Sequence, residues 1–157
     1  MKLNFIINYL KTNNLNLSVC ESITGGKLGS VFVKKKNASK IFFGGFITYQ
    51  NIAKLKILKL QEYNLQKFGV VSKEFSEIMA VNTKQILDTN IVIALTGNAG
   101  PKCLENKAKG LVYVTILINK KIFRKKFIFN SFFSRKKIIN LTVKKTIKYF
   151  FDILKKN

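Results

Sequence analysis

Three residues within N-A-S-K-I-F-F-G-G-F-I-T-Y-Q-N-I-A-K, residues 37–54, could act together on a carbonyl: the hydroxyl of Ser39, the phenol of Tyr49 and the amine of Lys54. A lysine that has lost its proton can take the proton of a nearby serine while the oxygen attacks an amide or ester carbon. The local sequence suggests how that amine becomes neutral. Residues 46–49, aromatic and β-branched after the Gly44-Gly45 break, read as a strand. Asn51 then reads as the N-cap of a helix that begins at Ile52. Lys54 falls in the first turn of that helix, where the positive end of the macrodipole disfavours an ammonium. In a chain with 29 basic residues, a lysine also meets a serine by chance, so the trio alone leaves the chemistry open.

The lack of any histidine narrows the choice. It removes Ser-His-Asp triads, Cys-His dyads and histidine-bound metals, leaving hydrolases with a lysine, tyrosine or carboxylate base. Cys20 and Cys103 form no CxxC pair and are too few for a disulfide framework, so they read as reduced structural thiols and no metal or other cofactor is expected.

Two glycine-containing loops supply further polar groups. Glu21, Ser22, Ile23, Thr24, Gly25 and Gly26 lie between a predicted strand over 15–20 and a predicted helix over 27–35, where backbone N–H groups can face an anion or a carboxamide oxygen. Thr96, Gly97, Asn98, Ala99, Gly100 and Pro101 follow I-V-I-A-L-T, a run of the kind buried on both faces of an α/β sheet. Loops at the carboxyl ends of strands build the ligand crevice in open α/β sheets, so these two loops are expected to face one another.

The remaining elements must hold these loops. Apolar periodicity predicts helices over 1–11, from 52 to about 59, over 73–87 behind an N-cap at Ser72, and over 134–154. Residues 61–68 read as a connection, and 110–118 with 122–129 as an antiparallel hairpin. A chain of 157 residues fits one domain with a core that needs no metal or disulfide. No apolar run approaches the ~18 residues of a membrane span, and no cleavage site follows the N-terminal segment, so a cytoplasmic protein is expected. The net charge of +22 raises the alternative of a nucleic-acid-binding module. Lysines are scattered from Lys2 to Lys156 and arginine occurs only at 124 and 135, which favours a solvated basic surface with no specific nucleic-acid or membrane partner. Such a field still attracts small anions such as nucleotides.

Together E-S-I-T-G-G at 21–26, G-G-F-I-T-Y-Q-N-I-A-K at 44–54, G-V-V-S at 69–72 and T-G-N-A-G-P at 96–101 resemble, in order and spacing, the CinA C-terminal domain family. Its stand-alone members are nicotinamide-nucleotide amidases. The resemblance runs from about residue 3 to residue 155. It implies a three-layer α/β/α sandwich with a mixed, mainly parallel sheet, in a single domain over 1–157, and a homodimer or higher homo-oligomer. It also implies hydrolysis of the carboxamide of nicotinamide mononucleotide to nicotinate mononucleotide and ammonia through an acyl-enzyme. Carried over by motif, Ser39 is the nucleophile, Lys54 the base, and Tyr49 the residue that relays the proton or holds the lysine. Substrate binding falls to Glu21, Ser22, Thr24, Gly25, Gly26, Asn51, Thr96, Gly97 and Gly100. Arg135 supplies an anion contact where the family carries Gly-Asp-Arg. A member that has kept the fold and lost the activity is the remaining alternative.

Overall fold

Strands rich in β-branched and aromatic residues build one five-stranded sheet in the computed structural model, which describes residues 1–156. The chain runs α1 (Lys2–Thr12), β1 (Leu17–Glu21), α2 (Lys27–Val33), β2 (Phe42–Ile47), α3 (Asn51–Leu58), α4 (Glu62–Phe68), α5 (Lys73–Leu87), β3 (Ile91–Gly97), β4 (Leu111–Ile118), β5 (Lys121–Ile128) and α6 (Arg135–Leu154). Spatial order is β2-β1-β3-β4-β5. β1 pairs in parallel with both β2 and β3, while β3–β4 and β4–β5 are antiparallel. The α/β class and mixed sheet agree with expectation, with one refinement. Parallel pairing is confined to one half of the sheet, and the hairpin of β4 and β5 forms the other.

Helices cover both faces, which is why β3, the central strand, is buried along almost its whole length. On one side Ile6, Leu10, Phe32, Ile147 and Phe150 of α1, α2 and α6 pack against Leu17, Val19, Ile91 and Ile93. On the other, Leu58 of α3 and Phe75, Met79 and Ala80 of α5 pack against Cys20, Val92 and Ala94. Alternation along the strands thus sorts neighbours such as Val19 and Cys20 to opposite layers.

The local signals explain most boundaries. The Ser72 hydroxyl accepts from the Phe75 N–H at 3.0 Å and starts α5, and Ser134 does the same for Lys137 at the start of α6. Residues 61–68, expected as a connection, form α4 instead: Asn64 Oδ1 accepts from the Gln61 N–H at 3.1 Å and closes the first turn. The strand expected over 46–49 lies earlier, at Phe42–Ile47, with the glycine pair inside it. A β-carbon on Gly45 would sit 2.1 Å from the carbonyl oxygen of Val19, so glycine here lets β2 pair closely with β1 and does not break the strand. That shift decides where the candidate nucleophile ends up.

Candidate active site at the carboxyl edge of the parallel strands

The carboxyl ends of β1, β2 and β3 lie side by side, and the loops that follow them gather most of the predicted polar residues. The Thr48 N–H donates to the Glu21 carbonyl at 2.8 Å and the Ser22 N–H to the Leu95 carbonyl at 3.2 Å, so residues 21–24, 48–49 and 96–98 form one rim.

Lys54 is the most unusual group on this rim. It projects from α3 and is only 1 % exposed, with its Nζ donating to the backbone carbonyl of Tyr49 at 3.0 Å. Burial lowers its pKa from 10.5 to about 8, a pull only partly opposed by the nearby Cys20 thiol. The expectation of a depressed amine therefore holds, with desolvation as the cause in place of the helix dipole. Cys20 answers in kind, its thiol pushed up to about 11 by burial.

Ser22 directly follows β1 and is 8 % exposed. It stands in the bend where β1 passes into the glycine loop, on the same rim as Lys54. The Thr48 N–H bond to the Glu21 carbonyl brings the segment that carries the Tyr49 carbonyl alongside the start of the Ser22 loop. The other hydroxyls nearby are engaged: Thr24 donates to Glu21 at 2.5 Å, Thr96 to the Val70 carbonyl at 2.5 Å, and Ser72 to the Gly69 carbonyl at 3.1 Å. The Thr48 hydroxyl faces the Cys20 sulfur at 3.9 Å. The Ser22 hydroxyl alone among them has no partner in the described residues.

Ser39 does not join this group within the chain, so the expected placement beside Lys54 is not what the fold gives. It is exposed in a short 3-10 turn, Ala38–Lys40, that precedes β2, whereas Tyr49 and Lys54 follow that strand. At about 3.3 Å per residue the five steps from Phe42 to Ile47 put the two ends of β2 about 16 Å apart, so Ser39 and the Tyr49–Lys54 segment stand at opposite ends of the strand. Tyr49 also takes a different place from the expected relay. The residue is 57 % exposed and its hydroxyl accepts from Arg135 Nη2 at 2.7 Å, while its contact with Lys54 is made by the backbone carbonyl.

Glu21, expected among the substrate-binding residues, is engaged by the chain itself. Fully buried, its carboxylate accepts from the Thr24 hydroxyl and from the N–H groups of Gly26, Leu28 and Gly29 at 2.7–3.0 Å. It fills the N-terminus of α2, so the anion cradle expected from the glycine loop is already occupied by the chain itself. Gly25 bends the same loop with φ of 56° and faces open space, while Gly26 packs beside Ile47. Asn51 is the exposed first residue of α3 behind an N-cap at Gln50, which corrects its reading as the cap.

Arg135 reaches the rim from the start of α6, with Nη1 donating to the Gly100 carbonyl at 2.6 Å and Nη2 to Tyr49. It ties the loops after β2 and β3 together and leaves further guanidinium donors for an anion. Gly97 lies inside β3 against the Leu111 backbone, so its role is close strand packing. Sequence reading missed the groups that shape the 98–107 loop. Asn98 is buried and holds Leu104 and Lys107 through its amide. Glu105 accepts from the Val70 and Val71 N–H groups and from Lys107. Burial pushes Glu105 up, but Lys107 and those N–H donors outweigh it and hold the carboxyl below its ordinary value. Nothing in the polar run over 102–109 distinguished these two residues beforehand.

No group of three or more His, Cys, Asp or Glu arranged to hold a metal exists among the described residues, and no described helix is long and apolar enough to cross a membrane.

Comparison with known proteins places the whole arrangement. The family model described as CinA C-terminal domain matches residues 2–154. The Mycoplasma genitalium protein MG115 is 35 % identical over 153 residues, covering 98 % of this chain and 97 % of that protein. A CinA-like protein of Flavobacterium psychrophilum is 34 % identical over 94 % of this chain. The chain spans only 35 % of that relative's length and 27 % of a putative competence-damage inducible protein of Pediococcus pentosaceus. Among solved structures, a competence-damaged protein (CinA) superfamily protein from Escherichia coli superposes with a TM-score of 0.91 at 25 % identity, covering 97 % of this chain and 88 % of that one. The competence/damage inducible protein CihA from Agrobacterium tumefaciens gives 0.89 at 27 %, covering 96 % and 92 %. Sequence, motif order and fold thus converge, and the chain belongs to the CinA C-terminal domain family.

Proposed function

We propose that the chain is an amidohydrolase that removes ammonia from the carboxamide of a pyridine nucleotide, nicotinamide mononucleotide foremost, with Ser22 as the nucleophile. The observation that carries this reading is the buried Lys54 amine, lowered to about 8, on the same rim as a serine hydroxyl that no other group engages. Neutral Lys54 takes the Ser22 proton as Oγ attacks the carboxamide carbon. The C–N bond then breaks and the nitrogen leaves as ammonia with the proton that Lys54 held. Water attacks the resulting ester, Lys54 accepts its proton, and Ser22 Oγ recovers one as the acid departs. The N–H groups of Ile23 and Thr24, which meet no acceptor in the described residues, are suitable donors for the developing oxyanion. Arg135 suits the phosphate, and the +22 field assists its approach.

The test is ammonia and nicotinate mononucleotide release by the purified chain. Activity in the wild type, its loss in Ser22→Ala and its retention in Ser39→Ala support the reading. A folded wild type that makes no product overturns it in favour of a member that has lost activity, and equal rates in Ser22→Ala and wild type overturn the mechanism.

A further inference from the structure

Away from the rim, α1, α2 and α6 enclose a groove of about 770 Å³ that shares no residue with the candidate site. Its apolar surface comes from Leu3, Val31, Leu141, Val143 and Ile147, all continuous with the core beneath. Its polar surface is basic throughout: Lys2, Lys27, Lys144, Lys145 and Lys148 line it, with Asn140 and no acid. Five lysines among eleven lining residues is a density well above that of the chain, which has 29 basic residues in 157.

The charges there are largely uncompensated. Lys148 pairs with Asp152 at 2.7 Å and Lys2, lying over Phe151, also feels that one carboxylate, but Lys27 is tied only to the neutral Asn140 amide and Lys145 lies over the Phe127 and Phe129 rings. Lys144 has no partner in the described residues. We propose that this groove is a second binding site, for a single-chain anionic amphiphile, its hydrocarbon tail on the apolar floor and its carboxylate or phosphate head among the lysines. Three arguments select that occupant. The volume is that of small-molecule sites, about 300–1,000 Å³, and is too small for a docked helix. A second copy of this chain would bring lysines against lysines. An inorganic anion would leave the floor bare, whereas lysine stems extend the apolar wall up to the charged heads and so match both parts of an amphiphile.

Titration of the intact chain with monomeric laurate, below the concentration at which it forms micelles, tests this by calorimetry. Saturable one-to-one binding is expected. It should weaken roughly tenfold in Lys2→Glu/Lys144→Glu and stay within twofold in Lys36→Glu/Lys56→Glu, which changes net charge equally on other surfaces. Shortening the probe from laurate to octanoate should cost at least about tenfold through lost tail burial. Equal weakening by both double variants would reduce the effect to general charge attraction and overturn the site. So would dodecanol binding as tightly as laurate, or capture by anionic vesicles with no binding of monomeric laurate. The double variants are exposed-surface changes, and circular dichroism on each confirms that the fold is intact before binding is compared.

Discussion

The two ends of the parallel strands carry polar residues of similar kinds and treat them in opposite ways. At the amino ends, Asn16 and Asn90 exchange side-chain-to-backbone hydrogen bonds at 2.9 and 2.7 Å, and Ser39 stands exposed in its turn. Polar groups there are either mutually satisfied or open to water, so none is unusually reactive. At the carboxyl ends an amine is buried beside a carbonyl, a carboxylate is consumed by a helix terminus, and one serine hydroxyl is left unpartnered. Reactivity is expected from that imbalance, because a group denied its water is pushed toward its neutral form and away from the state it holds in water.

The sharpest way to break this contrast is to remove one hydroxyl from each end. Ser22→Ala should lower kcat for ammonia release by about a thousandfold or more, while Ser39→Ala should leave kcat within about twofold. Neither change removes a hydrogen bond of the fold, so thermal unfolding should hardly move. The reverse result, loss in Ser39→Ala with Ser22→Ala active, would return the chemistry to the other end of β2.

Lys54 sharpens the contrast through its charge. Lys54→Met keeps the stem in the core and removes the base, so kcat/KM should fall by roughly 10²–10⁴-fold. In the wild type, kcat/KM should rise with pH through an apparent pKa near 8, the value of the buried amine. Stability carries the matching sign. Because the folded pKa lies below the unfolded 10.5, the cost of burying the ammonium is fully present below pH 8 and is relieved as pH climbs from about 8 to 10.5. Lys54→Met should lack that rise and, at pH 7, unfold at or above the wild-type temperature. Urea titrations of both proteins at pH 7, 9 and 10.5 decide the point.

Why the sequence placed Lys54 on the rim and misplaced Ser39 in the fold has a specific physical basis. Lys54 was legible because a helix signal follows Tyr49 directly, and small errors in where that helix begins do not move it to another edge. Ser39 was misplaced because Gly44-Gly45 was read as punctuation. A strand beginning at residue 46 leaves Ser39 on a loop free to return to Lys54, whereas a strand beginning at Phe42 fixes it at the far end. The glycines mark close approach of β2 to Val19, an interaction with a residue 26 positions away that no local pattern reveals. The three-layer architecture survived the error, since it rests on the long apolar runs of β3, β4 and α6. Contacts such as Glu105 on the 70–71 turn, or Arg135 on Tyr49, join distant segments and became visible only once the fold brought them together.

Glu21 tests the claim that one carboxylate at the carboxyl end is spent on structure. Glu21→Ala strands the Gly26, Leu28 and Gly29 N–H groups and the Thr24 hydroxyl in a buried place, a loss of roughly 3 kcal/mol. Thermal unfolding should fall by about 10 °C. Glu21→Gln retains one acceptor oxygen and should lose less. Were Glu21 a substrate ligand instead, both variants would melt near the wild type and raise KM.

The smallest expected effect belongs to Arg135. It touches the rim through Tyr49 and Gly100 without reaching Lys54, and its guanidinium is exposed. An exposed cation recognising a phosphate acts mainly on substrate affinity, so Arg135→Ala should raise KM for nicotinamide mononucleotide by about tenfold and change kcat by less than about threefold. Arg135→Lys preserves the charge but not the two-pronged reach to Gly100 and Tyr49, and should fall between the two. The nucleoside, which lacks the phosphate, separates the possibilities. If Arg135 binds phosphate, wild type and Arg135→Ala turn over the nucleoside with the same KM. If it serves only to pin the loops after β2 and β3, both substrates suffer equally, and the anion contact must be sought elsewhere on the rim.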